Sequence, residues 1–119
     1  MALAVAAAAL AVPAAAQADW LSAIHTPSGN IRCVQYRPTL VCGMFHPALR
    51  VTLNPTGWAT MEPGSAAGLP AGGVLAYGWQ WTGYHAAGPV VCSSRFSGLT
   101  CRSAAGHGFF LSVQSQRVF

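Results

Sequence analysis

Hydrophobic side chains alternate with polar or small ones in two stretches of the chain, Val74–Trp81 and Phe109–Phe119. A period of two residues is typical of a β-strand with one buried face. After residue 18, no stretch shows the sustained 3.6-residue period of an amphipathic helix. The sequence therefore predicts an all-β protein. The side chains predicted to share a face are Leu75, Tyr77, Trp79 and Trp81 in the first stretch, and Phe109, Leu111 and Val113 in the second.

Shorter apolar runs between turn residues predict further strands. Gly, Pro, Asn and Ser interrupt the chain often, as in proteins built from short antiparallel strands. Trp20–Ile24 is interpreted as a short apolar lead-in, and residues 62–73 as a loop. We expect a small antiparallel sandwich or open barrel. The predicted runs are Ile31–Tyr36, Leu40–Phe45, Arg50–Leu53, Val90–Cys92 and Leu99–Arg102.

The four cysteines form two equal intervals, Cys33-x8-Cys42 and Cys92-x8-Cys101. Four cysteines can pair in three ways. The repeated interval favours Cys33–Cys42 and Cys92–Cys101, with each pair closing a β-hairpin. Closing a loop of about ten residues stabilises a protein by roughly 2–3 kcal/mol. A zinc site made of all four is the alternative, but zinc ligands in such sites usually lie about two to four residues apart.

The start of the chain has the features of a secretory leader. An apolar run extends from Ala2 to Val12, Pro13 follows, and Ala16-Gln17-Ala18 forms a small-x-small cleavage site. The run is shorter than the roughly 20 apolar residues that span a bilayer. We therefore predict a signal peptide at residues 1–18 and a single β-rich domain at residues 19–119, secreted or periplasmic and not membrane-spanning. The alternative is an alanine-rich helix that remains in the mature protein.

All basic residues are arginine, Asp19 and Glu62 are the only acidic ones, and the net charge is +4. An excess of arginine can indicate an anionic partner. The arginines are scattered along the sequence, however, rather than clustered in a basic tract. We therefore favour a solvated surface over an anionic partner and expect no nucleic-acid partner. The arginines are Arg32, Arg37, Arg50, Arg95, Arg102 and Arg117.

Few side chains are available for catalysis. A glycosidase of the usual kind needs two carboxylates across the sugar bond, but Asp19 lies at the predicted mature terminus and Glu62 lies in the predicted loop. A Ser-His-Asp hydrolase would need one of the same acids, and no Gly-x-Ser-x-Gly segment occurs. The histidines lack the close spacing of a metal site. We predict a protein that is not an enzyme and holds neither a metal nor a cofactor.

Gly106-His107-Gly108-Phe109 is the most distinctive local segment. Glycines on both sides of a histidine indicate a close backbone approach or a positive φ. One interpretation is a ligand-facing rim at which Ser28, Asn30, His107 and Phe109 form a binding surface. The other is that the His107 ring hydrogen-bonds a loop carbonyl and fixes the entry into the last strand. The aromatic residues Trp58, Tyr77, Trp79, Trp81 and Tyr84 fit a stacking platform for sugars or other ring-bearing ligands. Alternatively, Tyr77, Trp79 and Trp81 form the buried face of a central strand.

Two segments near the ends of the predicted domain match patterns that occur together in one family. Residues 26–33 read Thr-Pro-Ser-Gly-Asn-Ile-Arg-Cys, and Gly98-Leu99-Thr100-Cys101 is followed by Gly106–Phe109. They resemble the Ser-Pro-Ser-Gly-Asn-Ile-x-Cys and Gly-Val-x-Cys…Gly-His-Gly-Phe segments of a family of small exported bacterial domains without an established function. Residues 44–73 match poorly, and Val113 stands where the family often has arginine. The resemblance implies export and the fold type, but no mechanism.

These features lead us to expect a non-catalytic binding module for an unknown envelope or extracellular macromolecule, with a protein among the candidates. The contact surface is expected at the turn end that carries Ser28–Asn30 and Gly106–Phe109. The alternative is a proteinaceous inhibitor of an exported hydrolase such as lysozyme, by analogy with small disulfide-bonded β-barrels of bacterial envelopes. Host lysozymes are usually basic, however, and a basic inhibitor would repel them. A third hypothesis is an enzyme that uses His107.

Overall fold

The computed structural model of the protein describes residues 21–37, 39–54, 58–85 and 88–119. In these ranges the chain is all-β, with eleven strands in two sheets. The sheets pack as a small sandwich that holds two disulfides, Cys33–Cys42 and Cys92–Cys101. The predicted fold class and disulfide pairing are confirmed. The predicted signal peptide, residues 1–18, lies outside the described residues.

The first sheet contains the first six strands, which are β1 (Ser22–His25), β2 (Ile31–Gln35), β3 (Leu40–Met44), β4 (Leu49–Leu53), β5 (Ala59–Glu62) and β6 (Gly73–Val74). Their order across the sheet is β5-β4-β3-β2-β1-β6. Strands β1 to β5 are antiparallel to their neighbours, and β6 runs parallel to β1 at the edge. Alternate residues of β4 are buried, as expected where one face of a sheet covers a core, whereas β2 and β3 each end in three consecutive buried residues.

The second sheet contains the remaining five strands, which are β7 (Gln80–His85), β8 (Gly88–Arg95), β9 (Gly98–Ser103), β10 (Gly108–Leu111) and β11 (Gln116–Val118). Each strand pairs antiparallel with the next one in the chain. The β8–β9 and β10–β11 turns therefore lie at one end of this sheet, and the β9–β10 turn lies at the other.

The two disulfides lie against each other in the core. In each sheet the bonded cysteines are direct partners on neighbouring strands, on β2 and β3 in the first sheet and on β8 and β9 in the second. The sulfur atoms of Cys33, Cys42 and Cys101 all lie within 4.8 Å of one another. One apolar cluster that draws on both sheets surrounds them and joins the layers. Its buried members include Leu40, Met44, Val51, Leu53, Val90, Leu99, Phe109 and Leu111.

The two halves of the chain repeat one strand order. Strands β1–β5 and β7–β11 each follow chain order in their sheet, with a disulfide between the second and third strand. In the sequence, a Ser-Gly pair shortly before a cysteine, at Ser28-Gly29 and at Ser97-Gly98, suggests two similar halves. The pairs occupy different turns, however, β1–β2 and β8–β9. The two halves share a strand order, but the two Ser-Gly pairs lie at different positions in it, before the second strand of the first half and at the start of the third strand of the second half.

Val74–Trp81 does not form the single strand that its alternation predicts. Strand β6 ends before β7 begins, and residues 75–79 pass from one sheet to the other, tied to both by backbone hydrogen bonds. Gly78 turns the chain there with a φ of 85°, a conformation that glycine adopts readily. Tyr77 and Trp79 are exposed. The predicted buried face is therefore wrong for these two rings.

Phe109–Phe119 is also not one strand, because a turn at Ser112–Ser115 divides it into β10 and β11. The Ser112 N–H donates to the Ser115 carbonyl oxygen at 2.8 Å, and the Ser115 N–H donates to Ser112 Oγ at 3.0 Å. Serine hydroxyls often satisfy turn backbone in this way. The sequence also leaves out two strands, β1, which occupies part of the apolar lead-in, and β5, which directly follows exposed Trp58.

Residues 65–72, here called the covering segment, lie over the outer face of the first sheet. Arg50 donates to two carbonyl oxygens of this segment, at 2.9 and 3.0 Å. Arg32 donates to the Leu69 carbonyl oxygen at 2.9 Å. Leu69 is buried and packs in a small apolar cluster with Val34. The first sheet is thus covered on both faces.

Gly43→Ala is expected to lower the free energy of unfolding by roughly 1–3 kcal/mol, as overpacking does. Gly43 lies on β3 beneath the covering segment, and a Cβ atom there would sit 2.7 Å from both the Ala66 Cα and the Ser65 carbonyl oxygen. The backbone would have to move. Urea denaturation measures the change, with Gly73→Ala as the matched control, since a Cβ at Gly73 meets nothing within 4 Å. Equal stability of the two variants would contradict the close contact.

Candidate functional site

A cleft of about 310 Å³ opens where turns from both sheets meet. The first sheet contributes the β1–β2 turn, and the second contributes the β8–β9 and β10–β11 turns. Tyr77, from the crossover between the sheets, completes the lining. Ligand pockets commonly measure roughly 300–1,000 Å³. The cleft therefore has room for a short segment of a larger ligand.

Two aromatic side chains form an exposed rim at the cleft. Tyr77 and Phe96 pack edge to face, with ring centroids 5.4 Å apart and planes inclined at 72°. Phe96, in the β8–β9 turn, is 89% exposed, and Tyr77 is 44% exposed. Val113, in the β10–β11 turn, adds a further exposed apolar side chain. Exposed apolar side chains grouped at one cleft are typical of a contact surface.

Beneath this rim the cleft is apolar, and its walls are polar. Ile31, Leu99 and Leu111 are buried members of the core that also line the cleft. Hydroxyl and amide groups from both sheets surround them, with those of Ser97 and Gln114 among them. Arg95 supplies a positive charge. Among the described residues that line the cleft there is no carboxylate, imidazole or thiol.

Ser28 and Asn30, which the sequence predicts as binding residues, both line the cleft. Their side chains also hold the loops around it. Asn30 donates from Nδ2 to the His46 carbonyl oxygen at 2.9 Å and accepts at Oδ1 from the His46 N–H at 3.0 Å. The Asn30 N–H donates to Ser28 Oγ at 3.2 Å. Asn30 thus ties the β1–β2 turn to the β3–β4 turn.

His107 and Phe109 are not among the residues that line the cleft. Phe109 is fully buried in the core, so its side chain offers no surface to a ligand. The His107 ring packs against the Trp58 indole, with centroids 3.9 Å apart and planes inclined at 47°. Neither interpretation of this segment predicts that contact. Gly106 has the positive φ that the flanking glycines indicate, at 92°.

The carboxylate, imidazole and cysteine side chains of the described residues lie outside the cleft lining. Glu62 is exposed on β5, and Asp19 lies outside the described residues. His25 Nδ1 lies 2.9 Å from the Ala71 carbonyl oxygen in the covering segment. The cysteine sulfurs that converge in the core are joined in disulfides. They are therefore not free thiolates for a metal.

Sequence reasoning missed Phe96 and Arg95 as lining residues, and it named Tyr77 only as one of several rings that fit a stacking platform or a buried face. Phe96 lies in a turn, where periodicity gives no signal, and Tyr77 was assigned to a strand. One local signal could have indicated Phe96. Arg95 and Gly98 pair across the end of the hairpin, which leaves Phe96 and Ser97 as a two-residue turn. Small and polar residues dominate such turns, so a phenylalanine there needs another explanation.

Disulfides that cross-link neighbouring strands are typical of an oxidising compartment outside the cytoplasm. Within the described ranges, no helix is long and apolar enough to cross a membrane. No protein-family model, curated protein or solved structure matches the chain.

Proposed function

We propose that this protein is a secreted or periplasmic binding module without catalytic activity, and that its cleft receives part of an envelope or extracellular macromolecule. The observation that carries the proposal is the exposed Tyr77–Phe96 pair at the rim of a cleft built from turns of both sheets. Aromatic side chains that remain exposed beside an apolar floor supply large contact areas at low cost in side-chain entropy.

The composition of the lining supports binding rather than catalysis. General acid–base catalysis requires a titratable group within hydrogen-bond reach of the reacting atoms. The polar side chains of the described lining are hydroxyls, amides and the Arg95 guanidinium, with no carboxylate or imidazole among them, and such groups can orient a ligand through hydrogen bonds. Export rests on the predicted leader, on the family resemblance and on the two disulfides.

An inhibitor of an exported hydrolase such as lysozyme is the second candidate. The observation in its favour is Phe96 at the tip of a two-residue turn, on a hairpin that the Cys92–Cys101 disulfide holds. A rigid hairpin with an exposed aromatic tip can enter an enzyme cleft as a preorganised anchor. The net charge of +4 opposes association with basic lysozymes. An acidic hydrolase would fit this charge better.

Tyr77→Ala/Phe96→Ala is expected to reduce capture of the natural partner at least about tenfold, the effect of losing central aromatic anchors. The immobilised, oxidised protein would be exposed to medium and envelope fractions from cultures of the source organism. The bound material would be quantified by mass spectrometry and by sugar analysis. Trp79→Ala is the matched control, because Trp79 is 67% exposed but does not line the cleft.

The same preparations separate the two candidate functions. A binding module should retain one partner in the wild type and in W79A, and lose it in the Tyr77/Phe96 variant. An inhibitor should protect a hydrolase stoichiometrically, with protection lost in the same variant. Equal capture by the Tyr77/Phe96 variant and the wild type would overturn the assignment of the cleft, and turnover of the captured material would overturn the non-catalytic role.

A further inference from the structure

The structure separates the arginines by what they contact. Arg32 and Arg50 donate to backbone carbonyls of the covering segment on the first sheet. Arg95, Arg102 and Arg117 belong to the second sheet, where they are exposed, and none forms an ion pair with a described residue. No acidic residue occurs in the sequence that forms this sheet. Within the described strands of the second sheet, these positive charges therefore face no side-chain carboxylate.

Strand alternation places these three arginines on one face. On β8 and β9 the cysteines and their alternate neighbours point into the core, so Arg95 and Arg102 point outward. On β11, Arg117 pairs with Phe110, which pairs in turn with Thr100. This solvent-facing side of the second sheet is here called the arginine face. Its central row is Gln80, Ser93, Thr100, Phe110 and Arg117.

Two of the guanidinium groups are held over phenylalanine rings. The Arg117 guanidinium carbon lies 4.8 Å from the Phe110 ring centroid, and the Arg102 guanidinium carbon lies 4.8 Å from the Phe119 centroid. Each ring lies against a glycine. A Cβ added at Gly98 would come within 2.7 Å of Phe110 Cζ, and one added at the glycine that begins β10 would come within 2.9 Å of Phe119 Cζ. Stacking on a ring holds the cation in place before any ligand arrives.

We propose that the arginine face binds an anionic polysaccharide. Arg95, Arg102 and Arg117 present three positive charges on one face, two of them held over rings, and guanidinium groups form paired hydrogen bonds with carboxylate or sulfate oxygens. Between the charges, the row of Gln80, Ser93 and Thr100 offers donors and acceptors of the kind that sugar hydroxyls use. This surface differs from the cleft, although Arg95 borders both.

Two features of the same face favour a polysaccharide over other polyanions. Binding to single-stranded nucleic acid relies on aromatic rings that stack on bases, and here the Phe110 and Phe119 rings are paired with arginines. Binding to an anionic bilayer relies on apolar side chains that insert between the lipids, and the centre of this face is polar at Ser93 and Thr100. The charges are also too dispersed in sequence to form a polybasic tract.

The test measures binding of the oxidised protein to two fluorescent polyanions, heparin as a sulfated probe and polygalacturonate as a carboxylated one, with neutral dextran as the negative control. We expect binding of one or both anionic probes and none of dextran. Arg102→Gln/Arg117→Gln should weaken binding about 25-fold, or about 5-fold per arginine, the scale of one basic residue at an anionic surface. Affinity should also fall steeply with salt, as for other linear polyanions.

Three variants show whether the face or the net charge is responsible. Arg37→Gln removes one positive charge, as R102Q and R117Q each do, but from an exposed position in the β2–β3 turn, and it should leave binding within about 2-fold of the wild type. Arg102→Lys/Arg117→Lys keeps both charges but removes the guanidinium groups, so its affinity should lie between those of the wild type and the double glutamine variant. Tyr77→Ala/Phe96→Ala, the cleft variant, should bind both probes as the wild type does. The single variants R102Q and R117Q are measured as well, in case the double variant is poorly folded by circular dichroism.

Several outcomes would overturn the proposal. They are failure to bind either anionic probe, an equal loss in R37Q and in the double glutamine variant, and tighter binding to phosphatidylglycerol vesicles or to oligo(dT) than to both polysaccharides. Preference for heparin would identify sulfate as the group recognised, whereas preference for polygalacturonate would identify carboxylate. Either preference supports the proposal and identifies the anionic group of the polysaccharide that the arginines bind.

Discussion

Replacing all four cysteines with alanine is expected to unfold the protein at room temperature. Each disulfide closes a loop of about ten residues and contributes roughly 2–3 kcal/mol, so the loss is about 5 kcal/mol or more. A domain of this size has a total stability near the lower end of the usual range of about 5–15 kcal/mol. Far-ultraviolet circular dichroism with urea titration measures the change in C33A/C42A/C92A/C101A.

The two variants that lack one pair are the controls. C33A/C42A and C92A/C101A should each fold with a lower urea midpoint. Because the sulfurs of Cys33, Cys42 and Cys101 converge within 4.8 Å, the loss in the four-alanine variant should equal or exceed the sum of the two single-pair losses, since removing the second pair enlarges the space left by the first. A cysteine-free protein that melts like the wild type would show that the hydrophobic core alone specifies the fold.

The two disulfide-bonded hairpins, β2–β3 and β8–β9, could be predicted because the residues that determine them are close in sequence. Turn residues, alternation and the equal cysteine intervals all lie within ten residues of one another, and each of these signals agrees with the others. Sequence alone was sufficient for the fold class for the same reason. Nothing local, however, shows which hairpins share a sheet. Only the structure shows which strands form each of the two sheets.

The alternation of large and small side chains gave a wrong prediction in residues 74–81, where the chain passes from one sheet to the other. Tyr77 and Trp79 alternate with small residues, but the periodicity of side chains contains no information on whether a second layer lies above them. The backbone of 75–79 bonds to both sheets instead of running along one. In Phe109–Phe119, serine hydroxyls that bond turn backbone outweighed the strand pattern. In both stretches, other hydrogen bonds replace the regular backbone hydrogen bonds that a continuous strand would form with its neighbours.

The candidate site was predicted in part. Ser28 and Asn30 do line the cleft, because a turn cluster before a strand falls at one end of a sandwich. Phe96 comes to the same cleft from a distant turn, and a single sequence does not reveal such a convergence. Arg102 and Arg117 also look dispersed in sequence, yet strands β9 and β11 place them on one face. The missing step is therefore the packing of the two sheets for the cleft, and the pairing of strands for the arginines.

The two halves share a strand order but differ in their outer faces. Gly43 directly follows the second cysteine of the first half, and Arg102 directly follows the second cysteine of the second half. The absence of a side chain at Gly43 lets the covering segment approach the first sheet. At the equivalent place on the second sheet, Arg102 extends over the face and stacks on Phe119. The outer face of the first sheet is thus closed by the covering segment, whereas among the described residues Arg102 on the second sheet is exposed.

Phe109→Ala is expected to lower the free energy of unfolding by about 3–5 kcal/mol, the usual cost of removing a buried phenylalanine ring. Phe109 is fully buried, and it pairs with Cys101 on β9 and Val118 on β11. Its loss would leave a cavity beside the disulfides, where the surrounding strands are cross-linked and cannot easily collapse. Urea denaturation under oxidising conditions measures the effect.

Phe96→Ala is the matched control, since it removes the same ring from a position that is 89% exposed. Its free energy of unfolding should stay within about 0.5 kcal/mol of the wild type, as for most surface substitutions, while capture of the partner falls. The sequence placed Phe109 in a binding surface, and the structure places its ring in the core. If F109A kept wild-type stability and lost only partner binding, the ring would have to reach the ligand, and the packing of the second sheet would need revision. If F96A lost binding while F109A kept it, Phe96 would be the aromatic residue that contacts the partner. Strand periodicity does not predict that role, because Phe96 lies in a turn.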